Sequence, residues 1–399
     1  EGPPGKAGGG EVRLGFVVGA RPNFMKVAPV LAELSARREG GVAAGVEPFV
    51  VHTGQHYDGA MSDVFFRDLG MPEPDDFLGV GSDTHGRQTA KVMTAFEDVC
   101  DSRRPDGVVV VGDVNSTLAC ALVAAKRGIG VAHVEAGLRS YDRSMPEEVN
   151  RVLTDQVSDL LLTTCEEAEE NLAREGIARR KVRFVGNAMI DSLLRGLSRA
   201  GAEPPELERR ARAAGLPHVV VTLHRPGNVD AAETLAPLVK GLEEAGRRAA
   251  VLFPVHPRTA ARLAEHGMPL RELAEGGDAP LEAGVYALPP LPYLEFVRLL
   301  RGAAIVLTDS GGIQEETTVM GVPCATLRPN TERPVTVRLG TNELVARTPE
   351  AIAEAVDRAL SGRWKKGSVP PLWDGSSAGR IVDALIEPGW LDEARSRRG

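Results

Sequence analysis

Short apolar runs alternate with amphipathic stretches along almost the whole chain. Arg13–Val18 reads as a buried strand, and after a turn Phe24, Val27, Ala28, Leu31 and Leu34 recur at helical spacing. The runs Phe49–Thr53, Gly107–Val111, Val131–Val134, Leu160–Thr163 and Val182–Val185 repeat the strand pattern, with helical stretches between most of them. Strand and helix alternating in this way predict a parallel α/β architecture. Roughly six such units precede residue 200, enough for one doubly wound domain. Residues 199–217 are polar and rich in Glu, Arg and Ala, with no strand pattern, and read as a linker region. A second series follows at Val219–Leu223, Ala250–Val255, Val285–Leu288, Ile305–Thr308 and Cys324–Leu327. Pro370, Pro371 and Gly375 then break the chain before a last helical stretch. The expected division is a leader at 1–10, a first domain at 11–198, the linker, and a second domain at 218–375. Two doubly wound domains facing each other leave a cleft at the carboxyl ends of their strands, where ligands of such folds bind.

Composition narrows the class. The chain has 399 residues, 43% hydrophobic and 26% charged, which excludes a disordered protein and accommodates two or three domains. A net charge of −8 argues against nucleic acid as the main partner. No apolar run approaches the ~18 residues of a membrane span. The leader lacks the apolar stretch of a signal peptide. Cys100, Cys120, Cys165 and Cys324 stand far apart, so zinc binding and a disulfide scaffold are not expected, and reduced thiols point to the cytoplasm.

Polar clusters follow the strands. After the first comes Gly19-Ala20-Arg21-Pro22-Asn23-Phe24-Met25-Lys26, which is not the Gly-x-Gly-x-x-Gly of a dinucleotide site. Its glycine turn, Arg21 and Lys26 at a helix start suit an anionic group; equally, they suit a surface Arg and Lys on an amphipathic helix. Asp113, Glu135 and Glu147 follow later strands. Each has a structural alternative: Asp113 as a helix cap, Glu135 paired with Arg139, Glu147 paired with Arg151. Three carboxylates at one edge suit proton transfer, which needs paired acids and bases. In the second half, His224-Arg225 and His256-Pro257-Arg258 end the first two strands. In Thr308-Asp309-Ser310-Gly311-Gly312-Ile313-Gln314-Glu315-Glu316 a strand runs through Ser-Gly-Gly into a helix, a cradle for a diphosphate. One turn on, Glu316 is placed to accept from a ribose diol, with Arg333 in the company of the glycines. No Asp-x-Asp occurs, so no carboxylate-held metal is indicated on the diphosphate, and arginines and helix termini must neutralise it. The residues alone thus suggest a nucleotide-sugar enzyme without naming its reaction.

As an ordered set, the motifs resemble the non-hydrolysing UDP-N-acetylglucosamine 2-epimerases. They are Gly-Ala-Arg-Pro-Asn-Phe-Met-Lys, Thr53-Gly54-Gln55-His56, Gly-Asp-Val-Asn-Ser-Thr, His-Val-Glu-Ala-Gly-Leu-Arg, Pro-Glu-Glu-Val-Asn-Arg, Val185-Gly186-Asn187, Leu-His-Arg-Pro, Asp-Ser-Gly-Gly-Ile-Gln-Glu-Glu and Thr-Glu-Arg-Pro, spread from about residue 13 to 345. The resemblance implies a GT-B fold: two Rossmann-like doubly wound domains, with a C-terminal helix, here 376–399, crossing back onto the first. It implies interconversion of UDP-GlcNAc and UDP-ManNAc without NAD or metal. UDP is eliminated to give 2-acetamidoglucal, then added back with the C2 proton returned to the opposite face. By motif position, Asp113, Glu135, Glu147 and His224 match the catalytic residues. Arg21, Lys26, Arg151, His256, Ser310, Gly311, Gly312, Glu316 and Arg333 match substrate-binding positions. A homodimer and closure around the intermediate are further expectations of the resemblance.

The chain departs from the family pattern at Ala20, Gly227 and Val335, where many members have Thr, Glu and Glu. Some members bind a second UDP-GlcNAc as activator through Gln-His-x-Gln; here the segment is Gln55-His56-Tyr57-Asp58, which lacks the second glutamine. Competing readings are the same chemistry on a UDP-2,3-diacetamido uronic acid, a GT-B glycosyltransferase, a non-catalytic UDP-sugar sensor, and the hydrolysing epimerases. Three carboxylates argue against a transferase, which needs one base. Intact acid and base positions argue against a sensor. The first loop, Gly-x-Arg-Pro, argues against the hydrolysing class.

Overall fold

The computed structural model describes residues 11–55, 69–199, 201, 203–273, 279–387 and 389–396, and all of these except the side chain of Arg21. The 1–10 leader and the segment His56 to Asp58 lie outside the described residues. The chain forms two compact units, one of residues 1–192 and 374–399, the other of residues 193–373. The stretch 199–217 carries a helix, Glu206–Ala213, and belongs to the second unit, where Leu207 and Ala211 enter its core.

The first unit's strands are β1 (Val12–Val18), β2 (Val46–His52), β3 (Asp76–Phe77), β4 (Gly107–Val111), β5 (Gly130–Ala136), β6 (Leu160–Thr163) and β7 (Val182–Phe184). They pair in parallel in the order β3-β2-β1-β4-β5-β6-β7. Successive side chains of β4 face opposite layers: Val109 and Val111 join the cluster with Leu14, Phe16 and Val18, while Val108 and Val110 pack with Phe96 and Ala121. Burial on both faces is why these strands read as unbroken apolar runs. The chain returns to this unit at its end. The helix Ser377–Ile386 packs on Arg21–Glu39, with Arg37 paired to Asp383, and Asp191 accepts from the amides of Ser377 and Ala378. The helix Gly389–Ser396 lies on β5. A Cβ at Gly107 would stand 2.5 Å from the Trp390 ring and one at Gly130 2.9 Å, so both strand starts are kept bare for that side chain.

The second unit repeats the plan with β8 (His218–Thr222), β9 (Ala250–Pro254), β10 (Arg271–Glu272), β11 (Gly284–Leu288), β12 (Ile305–Thr308), β13 (Cys324–Thr326) and β14 (Asn342–Leu344). All pair in parallel in the order β10-β11-β9-β8-β12-β13-β14. Every strand expected from the sequence is present; the short edge strands β3, β10 and β14 are additional. Each sheet is wound outward from a central reversal, between β1 and β4 and between β8 and β12, and in the second sheet β11 also steps back between β9 and β10. A ligand site of an open parallel sheet lies at such a reversal, outside the carboxyl ends of the strands. Among the described residues no helix is long and apolar enough to cross a membrane.

Candidate active site

In the first unit the reversal is tied together by Asn23. Its Oδ1 accepts from the amides of Gly19 and Ala20 at 3.1 and 3.0 Å, and its Nδ2 donates to the Val111 carbonyl at 2.9 Å, joining the loop after β1 to the end of β4. The helix Arg21–Glu39 then starts, and on its second turn Lys26 is buried with its ammonium on the Glu135 carboxylate. Glu135 is the bulged residue of β5, where the register with β6 shifts between Val134 and Ala136. Its φ is +71°, a conformation that costs an L residue about 1–3 kcal/mol and is kept only where the surroundings impose it. The expected structural alternative, a pair with Arg139, does not form. Arg139 is taken by Asp155 at 2.7 Å and by Glu175 at 2.6 Å.

Asp113 follows β4 after one residue, Gly112. It does not cap the next helix, which runs Asn115–Lys126 without a side-chain cap; its carboxylate pairs with Arg151 instead. The Arg151 side chain is 3% exposed and is shared with Glu148, also buried, one helical turn back on Pro146–Val157. Burial works to raise the Glu148 carboxyl. The amide and hydroxyl of Ser140, the Arg151 guanidinium and the Tyr141 amide outweigh it and hold the carboxyl below its ordinary range. Glu147 opens the same helix in its first turn, half-buried. Asp113, Glu135, Lys26, Glu147 and Arg151 are thus all held by the carboxyl ends of β4 and β5 and the elements that follow β1 and β5. Arg21 begins its helix at the same edge, with its side chain outside the described residues.

In the second unit the reversal is organised by a residue to which the sequence reading gave no role. Asp309, fully buried after β12, accepts from the amides of His224 (3.1 Å) and Arg225 (2.9 Å), from Asn228 Nδ2 (3.1 Å) and from His224 Nδ1 (3.1 Å). Burial pushes the Asp309 carboxyl up, but the His224 ring and the two amides prevail and hold it low. An anionic partner at Nδ1 fixes the ring's orientation. The His256 ring lies 5.8 Å from that of His224, and His256 Nδ1 accepts from the Arg258 amide as the cap of Pro257–Glu265.

Ser310 is the N-cap residue of Gly311–Met320, its amide turned onto Thr308 Oγ1 at 3.0 Å. A Cβ at Gly311 would lie 2.4 Å from Arg333 Nη1, so the first helical residue must be bare for the guanidinium to cross it. Gly312 follows in the same first turn. Arg333 is held by Glu315 at 2.9 Å and Glu332 at 2.6 Å, and Glu332 also binds Arg328 at 2.8 Å. Glu316 is buried and accepts from the Tyr293 hydroxyl at 3.2 Å. The residues missed in sequence, Asp309, Glu148, Glu315, Glu332 and Asp155, are all buried acids. All but Asp155 adjoin residues that were singled out, and that adjacency was the available signal. Among the described residues no three His, Cys, Asp or Glu side chains gather as a metal site would require.

These are the features of an α/β protein that holds paired acids at the strand ends of one sheet and an arginine across a glycine turn at those of the other. Comparison with known proteins defines the family. A model of the family described as UDP-N-acetylglucosamine 2-epimerase matches residues 41–386. A UDP-N-acetylglucosamine 2-epimerase of Methanocaldococcus jannaschii is 41% identical over 94% of this chain and 99% of its own. A UDP-2,3-diacetamido-2,3-dideoxy-D-glucuronate 2-epimerase of Pseudomonas aeruginosa is 38% identical over 93% and 98%. The crystal structure of the Methanocaldococcus jannaschii enzyme in complex with UDP-GlcNAc and UDP superposes with a TM-score of 0.81, covering 94% of this chain and 99% of that one. That of the Neisseria meningitidis UDP-GlcNAc 2-epimerase bound to UDP-GlcNAc gives 0.77 at 27% identity, over 94% and 100%. The chain belongs to the UDP-N-acetylglucosamine 2-epimerase family.

Proposed function

We propose that this protein is a non-hydrolysing epimerase that interconverts UDP-GlcNAc and UDP-ManNAc. The observation that carries the reading is the pair of carboxylates at the ends of neighbouring strands, Asp113 just after β4 and Glu135 in β5, each seated on a buried cation. Inverting C2 through a planar intermediate needs an acid or base for each face. The C2–H bond is not acidic, so its cleavage must accompany departure of UDP from C1. In the forward step one carboxylate takes the C2 proton while the C1–O bond breaks, giving 2-acetamidoglucal and UDP. In the second step UDP oxygen rejoins C1 and a second acid delivers a proton to the other face of C2. Asp113, Glu135 and Glu147 supply these proton positions, each worth about 10²–10⁴-fold in rate. In the second unit, His224, oriented by Asp309, donates to the departing diphosphate. His256, Arg333 and the bare turn Ser310-Gly311-Gly312 cradle it, and Glu316 takes the ribose diol. Arg21, Lys26 and Arg151 balance charge on the acid side. No cofactor enters this scheme.

A relative at 38% identity acts, by its name, on UDP-2,3-diacetamido-2,3-dideoxy-D-glucuronate, which makes that uronic acid the second substrate to try. The reading carries with it a cytoplasmic homodimer that takes a UDP-sugar and neither nucleic acid nor membrane. Sedimentation velocity reads the dimer directly. The reaction is tested by proton NMR of the protein with UDP-GlcNAc in D2O, without added metal or NAD. UDP-ManNAc with deuterium at C2 of both sugars is the expected outcome. Free ManNAc would move the protein to the hydrolysing class, and no turnover of either UDP-sugar would overturn the reading.

A further inference from the structure

Glu135 occupies a left-handed backbone conformation at a bulge, and something must hold it there. The residues on either side are clamped by one buried side chain. Asp155, on the helix Pro146–Val157, accepts from His133 Nδ1 at 2.6 Å through one oxygen and from the Gly137 amide at 3.1 Å through the other. Residue 133 is two positions before Glu135 and residue 137 two positions after it, so the two arms bracket the strained residue. Arg139 closes onto the second oxygen at 2.7 Å. Burial works to raise the Asp155 carboxyl, but His133 and Arg139 prevail and hold it low. Gly137 itself tolerates no side chain, since its φ is +81° and a Cβ would meet the Ala168 carbonyl at 2.5 Å.

The clamp also reaches the other acid. His133 Nε2 donates to the Gly112 carbonyl at 2.8 Å, and Gly112 returns its own amide to the Val134 carbonyl at 3.0 Å. Gly112 is the residue before Asp113. One chain of contacts, Asp155 to His133 to Gly112, therefore links the backbone that carries Glu135 to the backbone that carries Asp113. Asp155 stands one helical turn beyond Arg151, which holds Asp113 from the same helix.

We propose that Asp155 and His133 are a positioning pair that sets the spacing between the Glu135 and Asp113 carboxylates, acting on the reaction only through those two residues. The inference deepens the epimerase reading and rests on it. Asp155→Asn keeps shape but can no longer accept at both arms; His133→Gln removes the link to Gly112 and leaves the Asp155–Arg139 pair in place. For folded protein, each is expected to lower kcat by about 30–100-fold, the scale of a misplaced catalytic group, with UDP affinity within threefold of the parent. In Asp155→Asn, amide hydrogen exchange at Gly137 is expected to speed up. Where one variant fails to fold, the other decides. A kcat within threefold of the parent overturns the proposal. So does a fall in kcat matched by an equal fall in UDP affinity and melting temperature, which would mark a merely structural role. If the parent turns over no UDP-sugar, it is the epimerase reading that has failed, and unchanged Gly137 exchange in Asp155→Asn would then refute the clamp by itself.

Discussion

The two units fix charge in opposite ways. In the first, cations are spent to hold acids: Lys26 sits on Glu135, and Arg151 on Asp113 and Glu148. In the second, acids are spent to hold cations: Glu315 and Glu332 grip Arg333, Glu332 grips Arg328, and Asp309 orients His224. A buried ion pair is seldom a source of net stability, because desolvation offsets the attraction, but removing one member leaves an uncompensated charge. The difference therefore concerns which group each unit keeps in place for a ligand. Carboxylates are what a proton transfer needs, and fixed cations are what a diphosphate needs. On the proposed reading, two similarly wound parallel sheets serve these two needs with opposite counter-ions.

This contrast breaks most sharply in kinetics. Glu135→Gln is expected to lower kcat by about 10³-fold while UDP binding, followed by calorimetry, stays within a few-fold. Arg333→Lys loses the planar fork and is expected to do the reverse, weakening UDP by about tenfold with a smaller change in saturated turnover. If Glu135→Gln weakened UDP as much as turnover, the division of labour would fail. Next in size is stability. Lys26→Met leaves the Glu135 carboxylate buried without its cation and is expected to cost about 3–5 kcal/mol in urea unfolding.

A smaller effect is confined to the first unit and is read by pH. His52 stacks between Phe24 and Phe77 with Nδ1 accepting from the Gly54 amide, and burial pushes its pKa down from 6.5 to about 4. Between those values the unfolded chain binds a proton that the folded unit does not. Stability is therefore fully present above pH 6.5 and is lost as pH falls toward 4, by about 1–3 kcal/mol. The curve of unfolding free energy for His52→Gln should be flatter across that window. The smallest expected effect sharpens the comparison from the other side. Among the described residues, and apart from its own neighbours along the helix, no atom lies within 4 Å of a Cβ placed on Gly227, so Gly227→Glu, the residue the family resemblance expects there, should move the unfolding free energy by less than about 0.5 kcal/mol. Any change it makes in the UDP-sugar used would then be a matter of recognition alone.

Much of this was legible in the sequence, for reasons that differ by level. The strands read clearly because β4 or β12 is buried on both faces and leaves a continuous apolar run; β3, β10 and β14 are two or three residues at sheet edges and leave no such mark. Candidate site positions stood out because chemistry-bearing residues cluster after strands. Their partners did not, since partnership crosses the sequence: Lys26 meets Glu135 only because the helix after β1 passes the end of β5. Local rules misled where a distant ion was stronger. Arg139 lies four residues after Glu135 yet turns to Asp155 and Glu175, and Asp113 forgoes a cap for Arg151.

The return of the chain end to the first unit has a consequence for how the molecule is made. The second unit is one uninterrupted stretch, residues 193–373, and has all its strands as soon as it has been synthesised. The first unit has all seven of its strands by residue 184, but Trp390 must still arrive over Gly107 and Gly130, and Ser377 and Ala378 must still be met by Asp191. At ~5–20 residues per second the ribosome needs roughly ten to forty seconds to deliver them. Of the two units, the one whose synthesis starts earlier is thus the one completed later, and until then it waits with a bare apolar face.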